Sequence, residues 1–196
     1  MATAPKAHLG LFRTFDLLDE LIKDYNKAME LLMADQESQF LRRVAVRNTF
    51  SFVEGVIQIL KYEIKRKYRL EQPTYKLTPK EREIVYEEKI SVGESNIPVF
   101  TPVDKGFFKV FKLADKILNE RNAPFVIEKS EKGIIFSAKN TRNRLTHPRN
   151  YYDIEITDYE IYNMMLLFEL TRSSFEFIFN PNASVRVLLT STSNPF

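Results

Sequence analysis

A chain of 196 residues with 44% hydrophobic and 28% charged residues has the makeup of one ordinary globular domain with a full core, residues 1–196. Zero cysteines exclude a disulfide scaffold, a thiolate zinc site and a cysteine nucleophile together. A net charge of +3 permits a phosphate-bearing partner but excludes the dense positive field of a protein that coats nucleic acid nonspecifically.

The large apolar area comes from 16 Phe and 9 Tyr with no Trp, so an aromatic-rich core is expected, and only five glycines argue against an all-β design. No run of about 18 apolar residues occurs, and the N-terminal stretch lacks an uninterrupted apolar leader core. The expected compartment is therefore the cytoplasm, without a membrane.

From Leu11, the residues Phe15, Leu18, Ile22, Tyr25, Met29 and Leu32 recur at spacings of three and four, which predicts an amphipathic helix from about 9 to 34. A second run after Asp35, through Leu41, Ala45, Phe52, Val56 and Leu60, meets no proline until Pro73 and predicts one helix to about Tyr68. Two long helices a few residues apart should form an antiparallel hairpin. The cations Lys61, Lys65, Arg66, Lys67 and Arg69 close this second helix. They read either as a solvated end suiting the helix dipole or as a patch for RNA.

Residues 71–103 read as an insertion of loop and short helix, with Pro73, Pro79, Gly93, Pro98 and Pro102. Within it, Thr78-Pro79-Lys80-Glu81 has the pattern of a capping box and predicts a helix from 79 to about 90. The segment after that helix reads as a loop, with room for a short extended piece. Thr101-Pro102-Val103-Asp104 repeats the capping logic and opens a helix through Phe107, Phe111 and Ile117 to near Asn122. A further helix runs from about Glu131 through Ile135, Ala138 and Leu145 and stops at His147-Pro148, since proline disfavours helical geometry at the residue before it. After a polar turn, Thr157-Asp158-Tyr159-Glu160 opens the last helix, which Pro181 ends; the tail beyond about 181 reads as frayed. The whole is an all-α bundle of five to six helices.

The stretch Arg142 to Pro148, RNRLTHP, carries the chemistry. It holds one of only two histidines, a side chain that titrates near physiological pH, close to an arginine that stays charged, and that pair suits work on a phosphate. Residues five apart on a helix are rotated by about 140°, so Arg142 and His147 do not share a face of one straight helix. A helix end between them, or a second copy of the motif, would bring them together. A structural alternative stands beside this: His-Pro can simply stop a helix, and Arg142 can cap its carbonyls.

With Arg142, Asn143 and His147 at the end of the penultimate long helix of an all-α chain, the sequence resembles the HEPN (higher eukaryotes and prokaryotes nucleotide-binding) superfamily. The resemblance implies a HEPN-like helical bundle and a metal-independent endoribonuclease. It implies a homodimer whose two motifs face each other, with RNA as substrate and neither metal nor cofactor. Carried over by position, Arg142 would polarise the scissile phosphate, His147 would act as general acid or base, and Asn143 would hold the histidine or the phosphate. The RNA 2′-hydroxyl would attack, leaving a 2′,3′-cyclic phosphate. Toxin and defence effectors of this type are restrained by an antitoxin or regulatory partner protein. Other members bind nucleotides, RNA or partners without cleaving, which is the alternative reading. Some family toxins carry a modified tyrosine two residues after the histidine; here that position is Arg149, a departure that sets this mode of control aside.

Four more residues are candidates for substrate binding. Arg144 and Arg149 flank the motif and could contact RNA phosphates, or be solvated turn residues. Asn48 falls on the apolar stripe of the second helix, where the motif helix could partner its amide, or it borders the stripe in partial contact with water. Arg47, like Glu54, could support the motif or form an ordinary surface ion pair. Tyr151 and Tyr152 could stack on a base, although core packing is the stronger expectation. Metal-hydrolase and triad chemistries find no support, for there is no HExxH, no Gly-rich phosphate loop and no nucleophile elbow.

Overall fold

The computed structural model describes residues 6–71, 75–89, 97–98, 103–119 and 125–179. Six α-helices dominate: α1 (Lys6–Ala34), α2 (Gln39–Leu70), α3 (Pro79–Tyr86), α4 (Val103–Ala114), α5 (Lys129–Thr146) and α6 (Asp158–Phe179). The all-α expectation is met, and most helix bounds fall close to those read from periodicity; α3 instead stops at Tyr86, short of the expected 90, where Glu87 takes a left-handed conformation at φ 58°. Beside α3, the described residues of the insertion form a two-residue antiparallel pairing, β1 (Glu88–Lys89) with β2 (Ile97–Pro98), in the register Glu88 to Pro98. Expectations for residues 90–96, 99–102 and 120–124 and for the tail from 180 lie outside the described residues.

α1 and α2 form the long hairpin. Asn48 meets Asp24 and Gly55 meets Leu21, the descending register of an antiparallel pair. Ser38 caps α2, its hydroxyl accepting from the Leu41 N–H at 3.4 Å, which satisfies one of the unpaired donors of a helix start. The short α3 starts in the capping box read from sequence: Thr78 Oγ1 accepts from the Glu81 N–H, and the Thr78 N–H donates back to Glu81 Oε2 at 2.8 Å.

α2 is the central element, packing against α1, α4 and α6 and more lightly against α3 and α5. It is buried on most of its circumference, which explains why its apolar stripe is broad. Phe52 of α2 lies 4.5 Å from the Phe168 ring of α6, and Tyr25 of α1 stacks on that ring at 3.6 Å. Burial pushes the Tyr25 phenol well above its ordinary value, with Glu169 adding to the effect. On the α4 side, Phe107 and Phe111 are fully buried and stack at 4.4 Å. The aromatic-rich core expected from composition is thus one cluster running through all the long helices.

α4 ends in a wide π-type turn, Asp115–Asn119, where Asp115 Oδ2 accepts from the Phe125 N–H at 3.0 Å and ties the start of the next segment back. Among the described residues no helix is long and apolar enough to cross a membrane.

Candidate functional site

The site is built on the end of α5. Glu131, Ile135, Ala138 and Thr141 are its buried positions, spaced by three and four, so one face is fixed against the bundle and the opposite face carries Asn140, Asn143 and His147, all exposed. The backbone leaves the helix at His147, at φ −131° and ψ 60°. Its N–H still donates to the Asn143 carbonyl at 3.0 Å. Pro148 follows and has no N–H to continue the ladder.

The three motif residues divide between two surfaces. Arg142 turns toward α2, where its Nη2 donates to Glu54 Oε1 at 2.7 Å and its guanidinium lies 5.5 Å from the centre of the Phe50 ring. With Arg47, Ser51 and Thr146 these residues line a shallow groove of about 320 Å³. Asn143 and His147, four apart and so on one helix face, are exposed and make no side-chain hydrogen bond among the described residues. His147 does not line the Arg142 groove. One chain therefore presents the guanidinium and the imidazole separately, as the 140° rotation read from sequence requires.

The Arg142–Glu54 pair is a partly exposed one, at 34% and 44% side-chain exposure. Such a pair contributes about 1 kcal/mol at most, so its main effect is to aim the guanidinium. One of five donors is engaged by Glu54, and the rest of the fork is open to an incoming oxyanion. Arg47 joins this groove, exposed and without an ion pair among the described residues, so two guanidinium groups line one depression.

Asn48 is placed elsewhere. Its amide donates to the Asp24 carbonyl of α1 at a long 3.4 Å, so the partner is α1 and not the motif helix. Arg144 is placed differently from a residue that contacts phosphates. Its Nη1 donates to the carbonyls of Tyr152, Asp153 and Glu155 at 3.0, 2.8 and 2.7 Å, and its Nη2 donates to Glu160 Oε1 at 2.6 Å. With its fork engaged at both ends, Arg144 is a clamp that fixes the turn after the motif. Arg149 is exposed, its side chain without a partner among the described residues, and its backbone N–H donates to Asp153 Oδ2 at 2.6 Å.

The turn itself, a single 3₁₀ turn over Tyr151–Ile154, is held from a second side. Gln39 exchanges two hydrogen bonds with the Ile156 backbone, at 3.1 and 2.8 Å. The buried Arg42 donates to the Ile156 carbonyl at 2.9 Å and pairs with Asp158 at 2.6 Å, and Arg43 donates to the Ile154 carbonyl at 3.2 Å. Gln39, Arg42 and Arg43 escape a motif-based reading. The signal that could have found them is the placement of two arginines near the N-terminus of α2, where cations oppose the helix dipole and so need a partner elsewhere.

Glu160 is the acid at the centre of this clamp. Burial pushes its carboxyl up, but the Thr157 N–H, Arg144 and the Thr141 hydroxyl outweigh that and hold it below the ordinary value of 4.5. The rigid turn displays Tyr151 and Tyr152 at 69% and 74% exposure, edge to face at 6.2 Å. The expectation that they pack in the core is corrected: the clamp fills the space behind the turn with polar groups and leaves both rings in solvent, within a few residues of His147.

Among the described residues no group of three or more His, Asp or Glu side chains is placed to hold a metal ion. Comparison with protein-family models, with curated proteins and with solved structures finds no match for this chain.

Proposed function

We propose that this protein is a metal-independent endoribonuclease of the HEPN type, acting as a homodimer with half a catalytic set per subunit. The observation that carries the reading is an exposed histidine and asparagine at the end of a helix, without side-chain partners among the described residues, next to an aimed and partly open arginine. In-line attack by a 2′-hydroxyl needs a proton acceptor, a proton donor for the leaving oxygen, and cations at the developing phosphorane charge. Two copies of His147 and Arg142 about a twofold axis supply that set. In this reading His147 moves the protons, Arg142 takes the phosphate in place of part of its contact with Glu54, and Asn143 hydrogen-bonds the imidazole or the phosphate. Arg47 and Arg149 extend the phosphate contacts, and the exposed Tyr151 and Tyr152 stack on a neighbouring base. The setting is a toxin or defence effector restrained by a partner protein.

A second reading is favoured by one specific observation, the Glu54 carboxylate on Arg142. An acid at that point competes with a phosphate, which suits a module that binds a nucleotide or RNA end reversibly and cleaves nothing. Mixing separates the two. Arg142→Ala and His147→Ala should each be inactive on RNA alone, and wild type re-equilibrated with an excess of His147→Ala should lose its activity, because a mixed dimer holds only one of the two histidines that the set requires. If each single variant cuts at the wild-type rate, or if the wild type binds RNA without cutting it, the nuclease reading fails.

A further inference from the structure

A cleft at the far end of α2 gathers cations in a chain whose overall charge is only +3. It has a volume of about 760 Å³ and is lined by five cationic side chains, three tyrosines and one leucine, with no carboxylate among its described lining residues. Lys65 and Arg69 come from α2, Lys76 from the connection and Arg82 from α3, so the cluster is assembled by tertiary packing. One lining cation, Arg66, is neutralised by Glu63 at 2.7 Å, which leaves four without an ion pair among the described residues.

The dipole of α2 accounts for Lys67 and Arg69 in its last turn. It does not account for Lys76 outside the helix, nor for Arg82, which sits in the first half of α3 where a cation opposes that helix's own dipole. Two tyrosine rings flank the cations, Tyr62 at 41% and Tyr86 at 37% exposure. Lys65 and Arg82 lie 5.3 and 5.9 Å from the Tyr86 ring centre, which sets charge and aromatic surface side by side. Cations alternating with exposed rings are what a single-stranded nucleic acid requires, the former for its phosphates and the latter for its bases.

The cleft also lies on the same side of α2 as Arg142. Lys65 follows Glu54 by eleven residues, a rotation of about 20° and a rise of about 16 Å. A depression of about 160 Å³ lined by Glu54, Gln58, Lys61, Glu87 and Arg142 adjoins the motif groove on this side of α2 and shares no lining residue with the cleft. Its two acids are already paired, Glu54 with Arg142 and Glu87 with Lys61. We propose that this cleft binds a segment of single-stranded RNA, with phosphates on Lys65, Arg69, Lys76 and Arg82 and bases on Tyr62 and Tyr86. The strand then runs along α2 over about five stacked nucleotides, at 3.4 Å each, toward the motif. Binding in the cleft stands without cleavage; only the claim that the bound strand is the substrate rests on the nuclease reading.

The test uses the full chain and a fluorescein-labelled twelve-nucleotide RNA of mixed sequence, followed by anisotropy between 50 and 200 mM salt. With at least the four phosphate contacts of the cleft, affinity should fall by about fifty-fold or more across that range; with Arg69→Gln and Arg82→Gln together the fall should be about sevenfold smaller. Tyr86→Ala should weaken binding about tenfold and leave the salt dependence unchanged, and Tyr86→Phe should restore it. An unchanged salt dependence in the double variant overturns the proposal. So does displacement of the RNA by free ATP at equal nucleotide concentration, which would make the cleft a mononucleotide site. Wild-type binding without cleavage sinks the nuclease reading alone, whereas cleavage with cleft-independent binding sinks this proposal alone.

Discussion

Arg144 distinguishes a structural clamp from a substrate contact, and Arg144→Ala reads out which it is. The substitution removes three hydrogen bonds to the carbonyls of Tyr152, Asp153 and Glu155 and the charge-assisted bond to Glu160. The carbonyls lie on an exposed turn and regain water, so each loss costs about 0.5 kcal/mol, the low end for a protein hydrogen bond. Glu160 keeps the Thr157 N–H and the Thr141 hydroxyl, so losing its cation costs about 1 kcal/mol. The expected destabilisation is about 2.5 kcal/mol, or about 5–10 °C in melting temperature for a chain of 196 residues. Differential scanning calorimetry measures it, and hydrogen exchange over residues 150–156 should quicken more than exchange in α2. Arg144→Lys should rescue little, because a single ammonium cannot reach four acceptors spread across a fork. A change below about 1 °C accompanied by weakened RNA binding would refute the clamp and return Arg144 to the substrate contacts.

Glu87→Ala should leave the fully buried Lys61 ammonium without its 2.5 Å partner and destabilise by about 2 kcal/mol, below the range for a wholly buried pair because Glu87 is 40% exposed; Lys61→Met should be neutral or stabilising by urea titration. At Gly55 an added Cβ would come within 2.3 Å of Leu21 Cδ1, the movable end of a side chain. Gly55→Ala should therefore be close to neutral, with helix propensity offsetting the contact, whereas Gly55→Leu should cost about 1–3 kcal/mol and be partly rescued by Leu21→Ala. Glu160 has a folded-state pKa below its ordinary 4.5, so its contribution to stability is complete above that pH and is lost as the pH falls beneath it. Melting temperature should decline below about pH 4.5, and Glu160→Gln should flatten that decline.

The helices were legible because their signals are local. Apolar spacing placed α1 and α2, and Thr78 with Glu81 placed the start of α3 through hydrogen bonds spanning three residues. His147 ended α5 as Pro148 requires. The site was legible only where a side chain's neighbours are near in sequence. Glu54 could be flagged as a residue of interest, but its choice of Arg142, 88 positions away, depends on how α5 crosses α2. Arg144 and Arg149 read alike as cations beside the motif; packing gave one of them four acceptors and the other none for its side chain. Tyr151 and Tyr152 looked like core residues by composition. Their exposure follows from Gln39, Arg42, Arg43 and Arg144, which fill the underside of the turn with hydrogen bonds to its backbone.

The central claim is that His147 transfers protons in RNA cleavage without a metal. Purified wild type and His147→Ala, each incubated with single-stranded RNA in excess EDTA, followed by analysis of the 3′ ends of the products, test it most directly. The wild type should yield 2′,3′-cyclic phosphate ends and the variant at least about a hundredfold fewer, the lower bound for loss of a general acid–base. Cleavage by the variant at the wild-type rate, or products from the wild type ending in a 3′-hydroxyl, would contradict the claim.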